Sequence, residues 1–150
     1  MSRVSTYLNF PGTAEEAFTF YASVFGTDLV TPIQRFGDMP AGPGAPELPE
    51  AERSKVLHAE LPILGGHVIM ATDMLESMGQ HQRVGNNTTL NLEPDTRAEA
   101  ERLYAALSEG GADATGLNDM PWGSYWGTCL DRFGVRWMVN VADTQVADAR

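Results

Sequence analysis

The sequence predicts an α+β fold. Two βαβββ modules form a curved, mostly antiparallel sheet of eight strands, with helices outside and a hollow inside. Three observations carry that expectation. One helix signal occurs twice, 83 residues apart, at residues 13–22 and 96–105, with Thr13/Thr96, Glu16/Glu99, Ala17/Ala100, Tyr21/Tyr104 and Ala22/Ala105 in register. Each copy reads as a capping box, the threonine hydroxyl accepting from the amide three residues on and the glutamate reaching back to the threonine amide. Each copy also follows one strand-like run and precedes three more. A single such unit leaves one sheet face uncovered, so two units are expected side by side, with a site between them.

The elements follow in order. Residues 3–10 alternate weakly and read as a strand that Pro11-Gly12 ends. The first helix spans about 14–25. Ala17, Phe18, Tyr21, Val24 and Phe25 fall on one face, and Gly26 suits a left-handed C-cap. Residues 28–37 read as the second strand. Residues 38–53 carry Pro40, Pro43, Pro46 and Pro49 among Ala41, Gly42 and Gly44, a loop longer than ordinary connections and suited to disorder or partner contact ahead of catalysis. Strands at 55–63 and 67–73 flank a tight turn at Gly65-Gly66. A polar connection, 74–85, leads to the second module. It has a strand at 87–93, a helix at 97–108 ended by Gly110-Gly111, and strands at 112–118, 124–130 and 135–142. Asp131-Arg132-Phe133-Gly134 turns the last hairpin, and the last six residues read as frayed. Residues 1–150 thus read as one domain, with module one at about 3–73 and module two at about 86–142.

Composition narrows the partners. A hydrophobic fraction of 43% supports a core, and 20% charged residues argue against disorder. The formal charge of −10 disfavours nucleic acid and anionic membranes, which need clustered Lys and Arg. The acids are scattered, as solubility requires. The single Cys129 excludes an internal disulfide framework and fits a reducing compartment. No apolar run approaches the roughly 20 residues that span a bilayer. The strand-like start, Met1 to Leu8, lacks a signal-peptide core. Together these point to a cytoplasmic protein.

Several motifs carry a resemblance. They are Tyr7-Leu8-Asn9-Phe10, the stretch from Glu16 through Tyr21 to Phe25-Gly26, and Arg35-Phe36-Gly37-Asp38-Met39-Pro40. They continue with His58-Ala59-Glu60-Leu61, the run Trp122-Gly123-Ser124-Tyr125-Trp126-Gly127, and the stretch Asp131 to Trp137. With the paired modules, they resemble the vicinal oxygen chelate superfamily, and within it the PhnB-like, 3-demethylubiquinone methyltransferase-like branch. The resemblance implies a glyoxalase-like fold and a homodimer. The methyltransferase label finds no support in a cofactor motif, because no glycine-rich strand-to-helix turn is visible. No cofactor is therefore expected.

Metal-using members of that superfamily place His and Glu ligands on four inward strand positions. Mapped here, those positions are Thr6, Met70, Asn87 and Met138, with Thr89 as an alternative on the fifth strand. Neither choice offers the three or four His, Glu, Asp or Cys ligands that a divalent transition metal needs. His58 and His67, nine residues apart across the glycine turn, read as cross-strand neighbours, with Glu60 and Asp73 the acids near them in sequence. A structural or surface role is the commoner use of such a pair. His81 sits in a polar loop.

The expected ligand is a small, partly apolar molecule. Strand parity places Val68, Met70 and Thr72 on the inner face, together with Arg136, Met138 and Asn140; Thr6, Leu8 and Phe10; and Asn87, Thr89 and Asn91. Trp137, Val139 and Val141 pack under the helices. Apolar walls with a few amides, hydroxyls and Arg136 describe a small-molecule pocket, and methionines also serve simply as fillers. Trp122, Tyr125 and Trp126 either stack on a flat or cationic ligand or anchor a core edge or dimer contact, which is the commoner use; Phe36 shares that ambiguity. No nucleophile elbow occurs, and Cys129 has no histidine near it in sequence. Three readings remain: a metal-free binding module, a lyase or isomerase (metal-dependent, or metal-free on Glu60, Arg136 or Asn87), and a structural protein with a filled interior.

Overall fold

The computed structural model describes residues 1–40 and 42–142, so the fraying expected for the last six residues lies outside it. The chain divides between Arg83 and Val84 into two compact units. Unit one contains β1 (Thr6–Phe10), α1 (Ala14–Phe25), β2 (Gln34–Arg35), a short α2 (Glu50–Arg53), β3 (Val56–Pro62) and β4 (Val68–Asp73). Unit two contains β5 (Leu90–Leu92), α3 (Arg97–Ser108), β6 (Asn118–Asp119), β7 (Ser124–Leu130) and β8 (Arg136–Ala142). The sheet orders are β1-β4-β3-β2 and β5-β8-β7-β6, so the repeat in sequence is a repeat in topology. Each sheet has four strands and is mixed, since β1 runs parallel to β4 and β5 parallel to β8, and the other pairs are antiparallel.

Three strands are less than half as long as the sequence suggests. In the run 28–37, only Gln34 and Arg35 join the ladder, preceded by a single bond from Val30 N–H to the Glu60 carbonyl (3.0 Å). Pro32 has no N–H to give, and Phe36–Asp38 coil into a 3-10 turn that Asp38 closes by accepting from Arg35 N–H (3.0 Å). The fifth strand begins only at Leu90. The run 112–118 reduces to a bridge between Ala112 and Leu130 and the two-residue β6, because Gly116 turns left-handed (φ 77°) between them. The long loop is partly built: Glu52 of α2 is buried and accepts from the Ser77 amide (3.1 Å) and hydroxyl. Those two bonds hold its carboxyl below the usual range.

Each long helix buries one face, and that of α1 is the predicted one except that Phe25 is only half-buried and Ala14 joins it. In α1 these are Ala14, Ala17, Phe18, Tyr21 and Val24; in α3 they are Ala100, Leu103, Tyr104 and Leu107. Beneath α1 lie Ala59, Leu61, Ile69 and Ala71, and beneath α3 lie Cys129, Trp137, Val139 and Val141. Gly26 ends α1 in the left-handed conformation, as expected. The hydroxyl of Tyr104 donates to the Thr128 carbonyl (3.0 Å) and accepts from Gly116 N–H (2.8 Å). The Gly116 carbonyl approaches β7 so closely that a Cβ on Gly127 would lie 2.5 Å from it, which restricts that position to glycine.

The two helix starts differ from the expected pair of capping boxes. Thr96 accepts from Glu99 N–H (3.1 Å), while the Glu99 carboxylate pairs with Arg102 (2.7 Å). Thr13 makes no side-chain cap bond. Asp73, at the end of β4, caps the helix from a distance. Its Oδ1 accepts from Gly12 N–H (3.1 Å) and Ala14 N–H (2.9 Å), and its Oδ2 accepts from Val56 N–H (2.9 Å). In unit two the buried Asp131 accepts from Phe133 N–H (2.8 Å), Val135 N–H (3.0 Å) and Trp137 Nε1–H (2.8 Å), which closes the predicted hairpin turn onto the core indole. Gly134 supplies the positive φ (88°) of that turn.

Urea unfolding checks this assignment of caps. Asp73→Ala should cost about 3 kcal/mol, because it leaves two buried donors and one part-buried donor unpaired. Thr96→Ala should cost about 1 kcal/mol as an ordinary N-cap loss, and Thr13→Ala less than about 0.5 kcal/mol.

Candidate functional site

Each sheet presents one face to its own helix and one open face away from it. Along β4, Ile69, Ala71 and Asp73 are buried while Val68, Met70 and Thr72 are half-buried. Along β8, Trp137, Val139 and Val141 are buried while Arg136, Met138 and Asn140 are half-buried. These alternations match the parity read from sequence on the two central strands.

On β1 the parity is shifted by one residue. The register pairs Tyr7 with Met70 and Asn9 with Thr72, whereas Thr6 pairs with Ile69, Leu8 with Ala71 and Phe10 with Asp73. The Phe10 ring packs edge-on against Phe18 of α1 (6.3 Å). Thr6 and Leu8 therefore share the helix side, and Ser5, Tyr7 and Asn9 share the open side with Met70. The weak alternation misled because Tyr7 is 49% exposed on the open side while Phe10 is fully buried. Thr6 is engaged at the strand's start by a hydrogen bond between its Oγ1 and His67 Nε2 (2.8 Å).

The open face of unit one brings together a group that sequence reading scattered. Glu60 pairs with Met70, and Met70 with Tyr7, across three strands. His58, two residues before Glu60 on the same side of β3, is hydrogen-bonded at both ring nitrogens. Its Nε2 meets Glu60 Oε1 (3.1 Å), and its Nδ1 meets the Tyr7 hydroxyl (3.4 Å). The Tyr7 and His58 rings lie 5.9 Å apart. Ser5 donates to Met70 Sδ (3.9 Å). His58 and His67 are not neighbours: Ile63 N–H bonds the His67 carbonyl at the hairpin end, and His58 stands opposite Gln34 on the other side. Tyr7 is the functional candidate that sequence reading missed; the register of β1 was the signal needed. Phe36 sits half-buried in the 3-10 turn after β2.

On unit two, Asn91 pairs with Met138, which pairs with Thr128. Asn87 and Thr89 are exposed and lie before β5 begins, because the strand starts at Leu90, so they do not join Met138 on the ladder. Trp126 pairs with Asn140 on the open side, and Trp122 packs edge-on against it (6.1 Å). Tyr125 turns to the helix side. Its hydroxyl donates to Glu101 (3.0 Å) and the Arg97 guanidinium covers its ring at 4.5 Å, so the aromatic trio splits. Desolvation, followed by Glu101, raises the Tyr125 phenol above its usual range. Arg136 is fastened by Nε–H to the Gly85 carbonyl (3.0 Å) and by Nη2–H to Asp113 (3.2 Å). Asn140 Oδ1 is buried without a hydrogen-bond partner, as is Thr27 Oγ1 after α1. Burial, then Asp131, pushes the Cys129 thiol up to about 11, so it is a packed hydrophobe and not a nucleophile at neutral pH.

A metal does not fit these faces. On the observed ladders Tyr7, Met70, Asn91 and Met138 offer a phenol, an amide and two thioethers. Among the described residues, no three His, Cys, Asp or Glu side chains converge. Among the described residues, no helix is long and apolar enough to cross a membrane.

Two mixed four-stranded sheets of repeated topology, each with its helix on one face, define a glyoxalase-like α+β protein. A glyoxalase/bleomycin resistance/dioxygenase family enzyme of Burkholderia phytofirmans shares the fold, with a TM-score of 0.57 at 17% identity over 91% of this chain and 97% of that one. The chain belongs to the 3-demethylubiquinone-9 3-methyltransferase (PhnB-like) family, whose sequence pattern matches residues 2–140. Protein PA1353 from Pseudomonas aeruginosa is 34% identical, with a TM-score of 0.79 over 95% of this chain and 98% of its own. A putative 3-demethylubiquinone-9 3-methyltransferase, the PhnB protein of Bacillus cereus, is 28% identical, with a TM-score of 0.72 over 94% and 100%.

The donor chemistry predicts that Zn²⁺, Ni²⁺ and Fe²⁺ neither copurify in stoichiometric amounts nor raise the melting temperature. Elemental analysis and a thermal melt with each ion check this, since a tightly held ion must raise the melting point.

Proposed function

We propose that the chain is a binding protein that holds a small, partly apolar molecule against its open sheet faces without a metal. The observation that carries this reading is the orphaned Asn140 Oδ1 beside Trp126 and two residues from Met138. A buried acceptor without a partner costs about 1–3 kcal/mol, and native proteins keep few of them. A turn of the Asn140 amide toward a ligand N–H or O–H, with the ligand's apolar body against Met138 and Trp126, would recover that cost. Met70 offers a similar apolar centre on unit one, ringed by Tyr7, His58 and Glu60. Apolar walls with a few orienting polar groups are the usual composition of small-molecule sites. Assembly as a homodimer in the cytoplasm belongs to the same reading.

Native mass spectrometry of gently purified protein tests it. The wild type should carry a small-molecule adduct, and the same spectrum should report a dimer. Asn140→Leu should lose the adduct while the ligand-free chain gains about 1 kcal/mol of stability from removal of the unpaired acceptor. A wild type without an adduct, together with a destabilised Asn140→Leu chain, would contradict the reading.

A further inference from the structure

The open face of unit one carries three polar side chains in a hydrogen-bonded line, which binding alone does not need. We propose that Glu60, His58 and Tyr7 form a proton-transfer site, with Tyr7 the catalytic residue and His58 and Glu60 positioning it. Its substrate class is a small molecule bearing a weakly acidic proton.

Hydrogen-bond chemistry fixes the direction of the line. The Glu60 carboxylate can only accept, so the proton between it and His58 sits on Nε2 (3.1 Å). In the neutral imidazole His58 Nδ1 then carries a lone pair, to which the Tyr7 hydroxyl donates (3.4 Å). The Tyr7 oxygen is left with lone pairs for a ligand. Tyr7 is 49% exposed, whereas the His58 and Glu60 side chains are 28% and 24% exposed, so the line runs from a shielded carboxylate to a reachable phenol. Three strands hold the register: Tyr7 on β1, His58 and Glu60 on β3, and β4 between them with Met70 paired to both Tyr7 and Glu60. At 3.4 Å the Tyr7–His58 bond is long, and acid–base hydrogen bonds of this kind shorten when substrate excludes water.

The step balances without a further reactant. The Tyr7 oxygen takes the substrate proton as its own phenolic proton passes to His58 Nδ1. The substrate is left as an anion, hydrogen-bonded to Tyr7, and the new imidazolium is stabilised by the Glu60 carboxylate, which stays ionised. Reversal of the line returns the proton, to the same atom or to a neighbouring one. Met70 supplies the apolar wall for the rest of the molecule. This site is independent of Asn140: loss of the ligand reading on unit two leaves it intact, and its own failure leaves that reading intact.

An aryl sulfonyl fluoride reads the phenol directly in the full-length chain. The Tyr7 oxygen forms the O–S bond, fluoride leaves, and the phenolic proton passes to His58. Peptide mass spectrometry gives the labelling rate at Tyr7, with the half-buried Tyr125 as the internal reference. General-base help of this kind predicts that Glu60→Gln and His58→Asn each slow Tyr7 labelling by about tenfold or more while Tyr125 keeps its rate. Tyr7 rates within about twofold of wild type in both folded variants would overturn the proposal, since a merely structural bond gives no base catalysis. Nitrogen-15 NMR of the wild type needs no variant. His58 protonated on Nε2 is expected, and His58 protonated on Nδ1 overturns the proposal.

Discussion

One carboxylate holds unit one together. Asp73 ends β4 in register with Phe10, and its two oxygens take the amides of Gly12, Ala14 and Val56. Those amides belong to the turn into α1 and to the first residue of β3. A carboxylate is suited to this work because it offers only acceptors, and because the first turn of a helix attracts negative charge. Burying it costs desolvation, which three short charge-assisted bonds offset. Asp131 repeats the logic in unit two at a different place, tying a hairpin turn to the Trp137 indole. The two units share a topology but not the position of this polar anchor.

Chemistry depends on these anchors because they fix which face of each strand is spent on packing. Once Phe10 and Asp73 commit one side of β1 and β4 to α1, Tyr7 and Met70 must appear on the other. The same commitment of Trp137 and Val139 leaves Met138 and Asn140 outward. The open faces are thus a by-product of the core, and their mixture of thioether, indole, phenol, imidazole and carboxylate is what remains available for a ligand. None of it is a set of donors for a divalent transition metal.

The two long helices were legible in the sequence to the residue, since apolar spacing and the Gly26 stop act locally, whereas α2 was hidden in the proline-rich loop. The central strands were legible too, because their alternation is enforced by burial on one side. Caps and edges were not. Thr13 looks like an N-cap, but a distant aspartate 60 positions later takes the work from it. Short edge strands such as β2 and β6 depend on where Pro32 and Gly116 interrupt pairing. The parity of β1 failed for a related reason: an exposed tyrosine and a buried phenylalanine alternate with no hydrophobic contrast between them. That one-residue slip moved Thr6 and Leu8 into the candidate site and kept Tyr7 out of it. Glu60 was recognised as a candidate base, yet its partners His58 and Tyr7 meet only through the three-strand register.

Amide hydrogen exchange at Ala14 tests the central claim most directly. An amide in the first turn of a helix ordinarily exchanges quickly, because it has no partner within the helix. Here it is held by Asp73 inside the core, so it should exchange only through global unfolding, at the rate of core amides such as those of Leu61 and Ile69. Fast exchange at Ala14 and Val56 in an otherwise protected chain would show that the carboxylate does not hold these segments together.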